Sequence, residues 1–477
     1  MRAWPVILAA ALALLPAAAA RAGEGPGEAG EELPGPVYLL EAIEIEGNTK
    51  TSDATILFFV HIEEGETFSP DDGRLGKSQV HLLATGYFSE VELSLEKGSE
   101  RGYVVLVIRV VERSTFVFRD LVLGFSDVTS YGGLSVADYN FLGRGINLGG
   151  GLVLGDPHVG VDLRFRHPFI FRSRFSFGLG CYWLQGDDYM GYNDVHAFWP
   201  GLSDPQTRFA RVSTLRRGGM LNLDFELVPQ LNLGLEYRFE VVDATLPIAA
   251  SHKVGGETEP IDFGLLPGRS FISSISGIIE YDSRNDPFLP SRGLRLALTA
   301  EFSSPIIGSS YSFTKFVFNY DQLFVLPWKH SLRLSFMAGI IAGRAPFFER
   351  FYIGDLSDFL ADRVLGMAFE HRRSPNLFDT SIKDMRYEDI AAKLEFEYVI
   401  SLYRHVKGVY GVDFFFSFGL FTLARSKDLR LSRGKYEEVS PFPLDLTSDI
   451  GFRMDTGIGY FEISLSNLVG LVPLRGP

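Results

Sequence analysis

Residues 294–302 read LRLALTAEF: Leu294, Leu296, Leu298, Ala300 and Phe302 alternate with Arg295, Ala297, Thr299 and Glu301. Successive side chains of a β-strand point to opposite faces, so this segment has one greasy face and one polar face. The same period recurs on both sides of it. Leu221, Leu223, Phe225 and Leu227 alternate with Asn222, Asp224 and Glu226; Leu231, Leu233, Leu235, Tyr237 and Phe239 alternate with Asn232, Glu236 and Arg238. Ala392, Leu394, Phe396, Tyr398 and Ile400 alternate with Lys393, Glu395 and Glu397. The pattern starts near Phe116 and runs almost to the C-terminus. A soluble sheet would turn its greasy faces inward. A closed transmembrane barrel would turn them outward and leave no backbone group unpaired in the bilayer. Periodicity alone leaves both open.

The N-terminus favours the barrel. Arg2 precedes the apolar run Val6 to Leu15, and Ala20-Arg21-Ala22 fits the small-residue pattern of a secretory cleavage site. Residues 1–22 therefore read as a signal peptide. No later stretch approaches the ~20 apolar residues of a membrane helix. Residues 23–36, rich in Gly, Glu and Pro, read as a flexible lead-in. Phe (41), Tyr (19) and Gly (50) suit strands with aromatic girdles and relieved crowding inside a barrel. A net charge of −14 argues against a nucleic-acid partner, whose phosphates reward Lys and Arg. The single cysteine, Cys181, excludes an internal disulfide framework.

A compact domain is expected over residues 37–113. Tyr38 to Glu46 reads as a strand ending at the turn Gly47-Asn48, and Ser52 to Phe59 as a short helix. A second helix is expected with Ser69 as N-cap, Pro70 at its first position, Gly86 closing it, and Leu75, Val80, Leu83 and Ala84 as its buried stripe. Two strands follow, through Val91, Leu93 and Leu95 and through Val105, Val107 and Val111.

This β-α-α-β-β order, with Gly47, Asn48, Gly65, Gly86, Tyr87, Phe88 and Glu112 in place, resembles a POTRA domain. From residue 114 onward, GLSVADYNFLGRGINL (133–148) is similar to the hairpin between the second and third barrel strands of the BamA/TamA-like outer-membrane assembly and translocation superfamily. His167-Pro168-Phe169 sits where that family ends its fourth strand. YDSRNDP (281–287) with Pro290, Ser291, Arg292 and Gly293 is similar to its most recognisable hairpin, with Asp282 and Arg284 as caps and Pro287 and Gly293 as turn formers. The resemblance implies a mainly β protein: an outer-membrane antiparallel β-barrel of about sixteen strands over residues 114–477, behind one periplasmic POTRA domain.

The resemblance also implies a lock. In the family the sixth extracellular loop folds into the lumen, and the Arg of a V-R-G-F-type tip pairs with carboxylates on the wall. Phe351-Tyr352-Ile353-Gly354 matches the approach, but the tip reads Val364-Leu365-Gly366-Met367, so Leu365 replaces the Arg and Met367 the Phe. Glu395 and Asp413 stand as the wall carboxylates, and Arg363 is the candidate to reach them. Of the fifteen strands counted from Phe116, the last runs from about Tyr460 to Leu468. Val469 to Pro477 is the candidate sixteenth, weakened by Pro473 and Pro477. A strand within Thr422 to Leu446 is the alternative.

Enzymatic motifs fail. Gly76-Lys77-Ser78 lacks the glycine a phosphate loop needs at position 71, which is Asp. No H-E-x-x-H or G-x-S-x-G motif occurs, and Asp187, Asp188 and Asp194 lack the alternating ligands of a calcium loop. No catalytic residue, metal or cofactor is expected. The implied partners are the outer-membrane bilayer, unfolded outer-membrane or secreted clients, and periplasmic chaperones or accessory subunits. A dedicated two-partner-type secretion transporter is the main alternative function, and a passive pore the last.

Overall fold

The computed structural model describes residues 37–69, 72–125, 130–168, 174–191, 195–207, 209–228, 230–254, 257–286, 289–356, 363–364, 367–368, 387–404, 408–425 and 444–469. The expected signal peptide and lead-in lie outside them.

The N-terminal domain runs β1 (Tyr38–Glu46), α1 (Asp53–Phe58), β2 (Thr67–Phe68), α2 (Gly73–Ala84), β3 (Phe88–Lys97) and β4 (Tyr103–Glu112). Its sheet order is β2-β1-β4-β3, leaving β3 at an edge. Two expectations change here. Helix α2 starts at Gly73, capped by Asp72, whose carboxylate accepts from the Arg74 amide; Ser69 only opens the preceding turn. Its inward face carries Ser78 and Leu82, while Val80 and Ala84 are exposed. Ser78 and Leu82, four residues apart, share that face, and Val80, two residues from each, lies about 200° round the helix from them. Leu82, Ile56, Leu106 and Ile108 are fully buried in one core, where truncating a leucine costs roughly 2–5 kcal/mol.

The barrel strands are β5 (Phe116–Phe125), β6 (Ser130–Phe141), β7 (Ile146–Gly155), β8 (Val159–His167) and β9 (Phe175–Gly191). A short β10 (His196–Phe198) precedes β11 (Phe209–Val228) and β12 (Leu231–Thr245). The pieces β13 (Ala249–Val254) and β14 (Glu257–Pro260) lead to β15 (Gly268–Asp282), β16 (Gly293–Ser303), β17 (Ser312–Val325) and β18 (His330–Arg344). The long loop then holds β19 (Phe351–Tyr352), β20 (Arg363–Val364), β21 (Met367–Ala368) and β22 (Tyr387–Glu388). The wall resumes with β23 (Ile390–Arg404), β24 (Val409–Ala424), β25 (Asp445–Thr456) and β26 (Gly459–Val469). Tyr387 pairs with Tyr352 inside the loop.

Among the described residues fifteen strands close into a ring, in the order β5-β6-β7-β8-β9-β11-β12-β15-β16-β17-β18-β23-β24-β25-β26. Fifteen of the about sixteen expected strands are therefore described. Val469 belongs to β26, and residues 470–477 and 426–443, where the missing strand was sought, lie outside the description. Ten to twenty residues alternate along most staves, with lipid-side residues such as Phe302, Leu235 and Phe396 exposed. Glu301, next to Phe302, instead faces inward to an ion pair with Arg238. The register places Leu296 with Phe302 on the lipid side and Ala297 with Glu301 on the lumen side.

At the rim away from the N-terminal domain, the lumen is filled. Met190, Val212, Val242, Ile272, Phe313, Ile341, Ala391 and Leu423, from eight different strands, share one apolar core with Val195, Phe263, Phe347, Tyr352 and Tyr387 from the loops.

Candidate functional site

The long loop enters the barrel through the 3₁₀ turn Phe347–Glu349 and is held there by charge. Arg238, lumen-facing on β12, donates from Nη1 to Glu349 Oε1 and from Nη2 to Glu301 Oε1, each at 2.7 Å. Lys315 Nζ donates to the Glu349 carbonyl at 2.9 Å. Beside them Arg216 is paired with Glu240, which also accepts from Tyr182 Oη at 2.6 Å. The Arg216 guanidinium lies 3.8 Å from the centre of the Phe348 ring. Glu349 is 6% exposed and Glu240 is 0%. Buried charges are tolerable only when paired and hydrogen-bonded, and this cluster meets that condition.

The polarity is the reverse of the implied lock: the carboxylate comes from the loop and the guanidinium from the wall. Glu395 pairs with Lys393 at 2.6 Å. Asp413, at the other end of the wall, pairs with Arg404 at 2.6 Å. Glu397 takes a bidentate contact from Arg453, at 2.5 and 2.6 Å. Arg363 is placed by its backbone, opposite Ala368 in the β20–β21 hairpin; its side chain, Leu365 and Gly366 lie outside the described residues. Met367 is 2% exposed and packs on Val153 of β7 and Leu184 of β9. Met367 therefore rests on the first-half wall, while Glu395 and Asp413 stand in β23 and β24. Sequence reading missed Glu349, Arg238 and Arg216. Glu349 follows two buried phenylalanines, but nothing local marks a partner 111 residues away.

The seam between β26 and β5 is the second feature. Among the described residues one pair joins them, Gly459 with Phe118, and the strands run parallel. The Phe118 amide donates to the Ile458 carbonyl at 3.3 Å, a long bond. Neighbouring junctions are far longer: β25 pairs with β26 from Thr456–Gly459 to Leu446–Val469. At the foot of the seam Arg113 Nη2 reaches Asp455 at 2.8 Å, with side chains 7% and 5% exposed, and lies over the Tyr410 ring.

The third feature is the docking of the N-terminal domain. Gly47, with φ +89°, turns the chain where a Cβ would collide with the Val110 carbonyl. Asn48 Nδ2 then donates to Thr51 O and to Asp53 Oδ1. Glu112 accepts from Thr49, Lys50 and Thr51, and fixes this loop. Burial raises the Glu112 pKa, but the hydrogen bonds from Thr49 and Thr51 outweigh it and leave it at about 2. The ordered loop reaches the β6–β7 turn: Asn140 Nδ2 donates to Thr51 Oγ1, Ser52 N to Gly143 O, and Lys50 meets Asp138. Gly143, at φ +69°, lies so close to the Lys50 carbonyl that no Cβ fits. Gly86 (φ +72°) ends the second-helix turn, and Phe88 is buried in the domain core.

In the β15–β16 hairpin, Arg284 folds back on Asp282 at 2.6 Å, and Asp282 Oδ1 accepts from the Arg284 amide. Asn285 Oδ1 accepts from the Ser291 and Arg292 amides, and Gly293 has φ +112°. Pro287 lies outside the described residues. Among those residues no group of three His, Cys, Asp or Glu could hold a metal.

The Omp85 superfamily domain profile matches residues 140–359, and a POTRA profile, surface antigen variable number repeat, matches 38–113. The outer membrane protein assembly factor BamA of Nitratidesulfovibrio vulgaris (strain Hildenborough) is 25% identical over 330 residues, 67% of this chain and 37% of that protein. BamA of Neorickettsia risticii (strain Illinois) is 26% identical over 152 residues, 32% of this chain and 20% of its own length. The chain thus spans well under two thirds of either relative. BamA from Haemophilus ducreyi lacking POTRA domains 1–3 superposes with a TM-score of 0.51 at 14% identity, over 92% of this chain and 82% of that one. CdiB from Escherichia coli gives 0.56 at 12%, over 91% and 73%. At these identities the likeness speaks for the fold. It agrees with a barrel in the outer membrane whose N-terminal domain faces the periplasm. Barrel and domain together place the chain in the BamA/TamA-like Omp85 superfamily of outer-membrane proteins with a periplasmic POTRA domain.

Proposed function

We propose that this protein is a non-enzymatic outer-membrane assembly factor that captures unfolded client chains through its POTRA domain and templates them at the β26–β5 seam. The observation that carries this reading is the seam itself. Among the described residues, antiparallel neighbours round a ring of fifteen leave the first and last strands parallel, joined by one pair. A strand entering between them runs antiparallel to both and satisfies two rows of edge N–H and C=O groups at once. The rival reading is export of one dedicated protein through the lumen. That route has to displace the apolar core at the extracellular rim and the Glu349–Arg238 contact. Periplasmic chaperones or accessory subunits are further partners of the proposed role.

Depletion in the native host, followed by quantitative outer-membrane proteomics, tests it. Assembly predicts a broad fall in barrel proteins; loss of one exported protein with the other barrels unchanged would favour dedicated transport.

A further inference from the structure

Between the POTRA domain and the periplasmic rim lies a groove of about 1090 Å³. That is at or above the upper end of small-molecule pockets, roughly 300–1,000 Å³. Both walls carry polar residues, and the domain wall adds an apolar strip. The domain contributes this strip, Leu57, Phe58 and Val60, from α1 and the segment after it, flanked by the polar His61, Glu63, Glu64 and His81. Leu57 is 40% exposed, and Phe58 and Val60 are half-buried. The barrel contributes Arg166, Asp224 and Asn232, which alternate with the lipid-facing residues of β8, β11 and β12 and so belong to the lumen side. Arg166 and Asp224 pair at 3.0 Å, so this wall is polar without a single sign. The Arg113–Asp455, Asn140–Thr51 and Lys50–Asp138 contacts hold the two walls in a fixed relation.

A segment that fits must be apolar on one side and polar on the other, and must carry no strong net charge. An extended chain with period-two alternation presents those two faces 180° apart, the pattern of the barrel strands a client of the proposed function would carry. We propose that this groove, rather than the β3 edge, is where the protein receives an extended alternating client segment, so that the apolar face lies on α1 and the polar face on the rim. The proposal deepens the assembly reading and rests on it. The groove's rim wall is continuous with the lumen-facing rows of β8, β11 and β12, so a segment held there lies at the barrel entrance.

The test uses the full chain in nanodiscs and a synthetic peptide with the sequence of residues 293–303, itself an alternating strand. Two controls share its composition: one with the apolar residues in a block, one with them at helical spacing. A photoreactive residue is placed at Leu57 in the groove or at Glu92 on the β3 edge. The alternating peptide is expected to label the Leu57 position and to outcompete both controls. Ala54→Glu, an exposed helical position lining the groove, is expected to weaken binding about tenfold, which corresponds to about 1.4 kcal/mol. Retained heat-modifiability shows that the variant folds. Labelling at Glu92 with Ala54→Glu silent overturns the groove and leaves client capture standing, at the sheet edge. Preference for the helical-spacing control overturns the extended occupant. Labelling at neither position overturns the groove, and an unchanged outer-membrane proteome on depletion would remove client capture with it.

Discussion

Two stretches of the same wall differ more than any other pair of regions in the molecule. Where β9 meets β11, seventeen residue pairs run unbroken from Phe209–Gly191 to Phe225–Phe175. Where β26 meets β5 there is one. The long junction also carries the charge cluster: Arg216 on β11, Tyr182 on β9, and Arg238 on β12 reaching into the loop. At the foot of the short junction lies the Arg113–Asp455 ion pair. Stability in a folded protein is spread unevenly, and local opening is drawn from the weakly bonded end. Among the described residues the barrel therefore has a densely paired side that anchors the loop and a sparsely paired side at the seam.

The largest expected effect breaks the rigid side. Arg238→Ala leaves buried Glu349 and half-buried Glu301 without their guanidinium and should cost about 3–5 kcal/mol. Urea unfolding followed by gel mobility measures it; a loss under 1 kcal/mol would show that water already solvates the cluster. Arg238→Ala is also expected to expose the loop to protease, whereas Glu395→Gln, whose described partner is Lys393, should not.

Next in size is the register of the wall. Leu296→Arg should cost about 2–4 kcal/mol near the midplane because it faces lipid, and Ala297→Arg clearly less because it faces the lumen. Equal losses in a folding titration would mean that the sheet is turned the other way.

How much of this was legible in the sequence follows from the range of each interaction. The wall was legible because a strand writes its environment into every second residue, as Leu294 to Phe302 does. The domain was legible for the same reason, with an error where Ser69 and Asp72 both offered caps and only the bonds made to Arg74 decide between them. The seam was half legible. Fifteen strands could be counted, but the parallel pairing of β5 with β26 is a consequence of ring parity that no local pattern records. For the lock, the V-R-G-F-type resemblance drew attention to Arg363, Glu395 and Asp413, and the Arg363 side chain lies outside the described residues. The contact the structure shows joins Glu349 to Arg238, on elements brought together only when the ring closes.

The smallest effect concerns the domain's attachment, and it depends on pH. Glu112 has a folded pKa of about 2 against an ordinary 4.5. Its contribution is therefore fully present above about pH 4.5 and is lost as the pH falls towards 2. Glu112→Gln should loosen the Asn48–Ser52 loop at neutral pH and flatten that acid dependence. Hydrogen exchange at the Lys50 and Thr51 amides reports both; an unchanged profile would mean that the loop is held by the barrel alone.

The central claim is that the seam opens and the opposite wall does not. With Cys181→Ser as background, cysteines at Phe118 and Ile458 can be joined by a short bis-maleimide across the seam. Cysteines at Leu221 and Tyr237, paired across β11 and β12, do the same for the rigid side. Each crosslinked protein is then asked to restore barrel assembly in the depleted host. The seam crosslink is predicted to abolish restoration and the wall crosslink to leave it intact; full restoration by the seam-crosslinked protein would contradict the account.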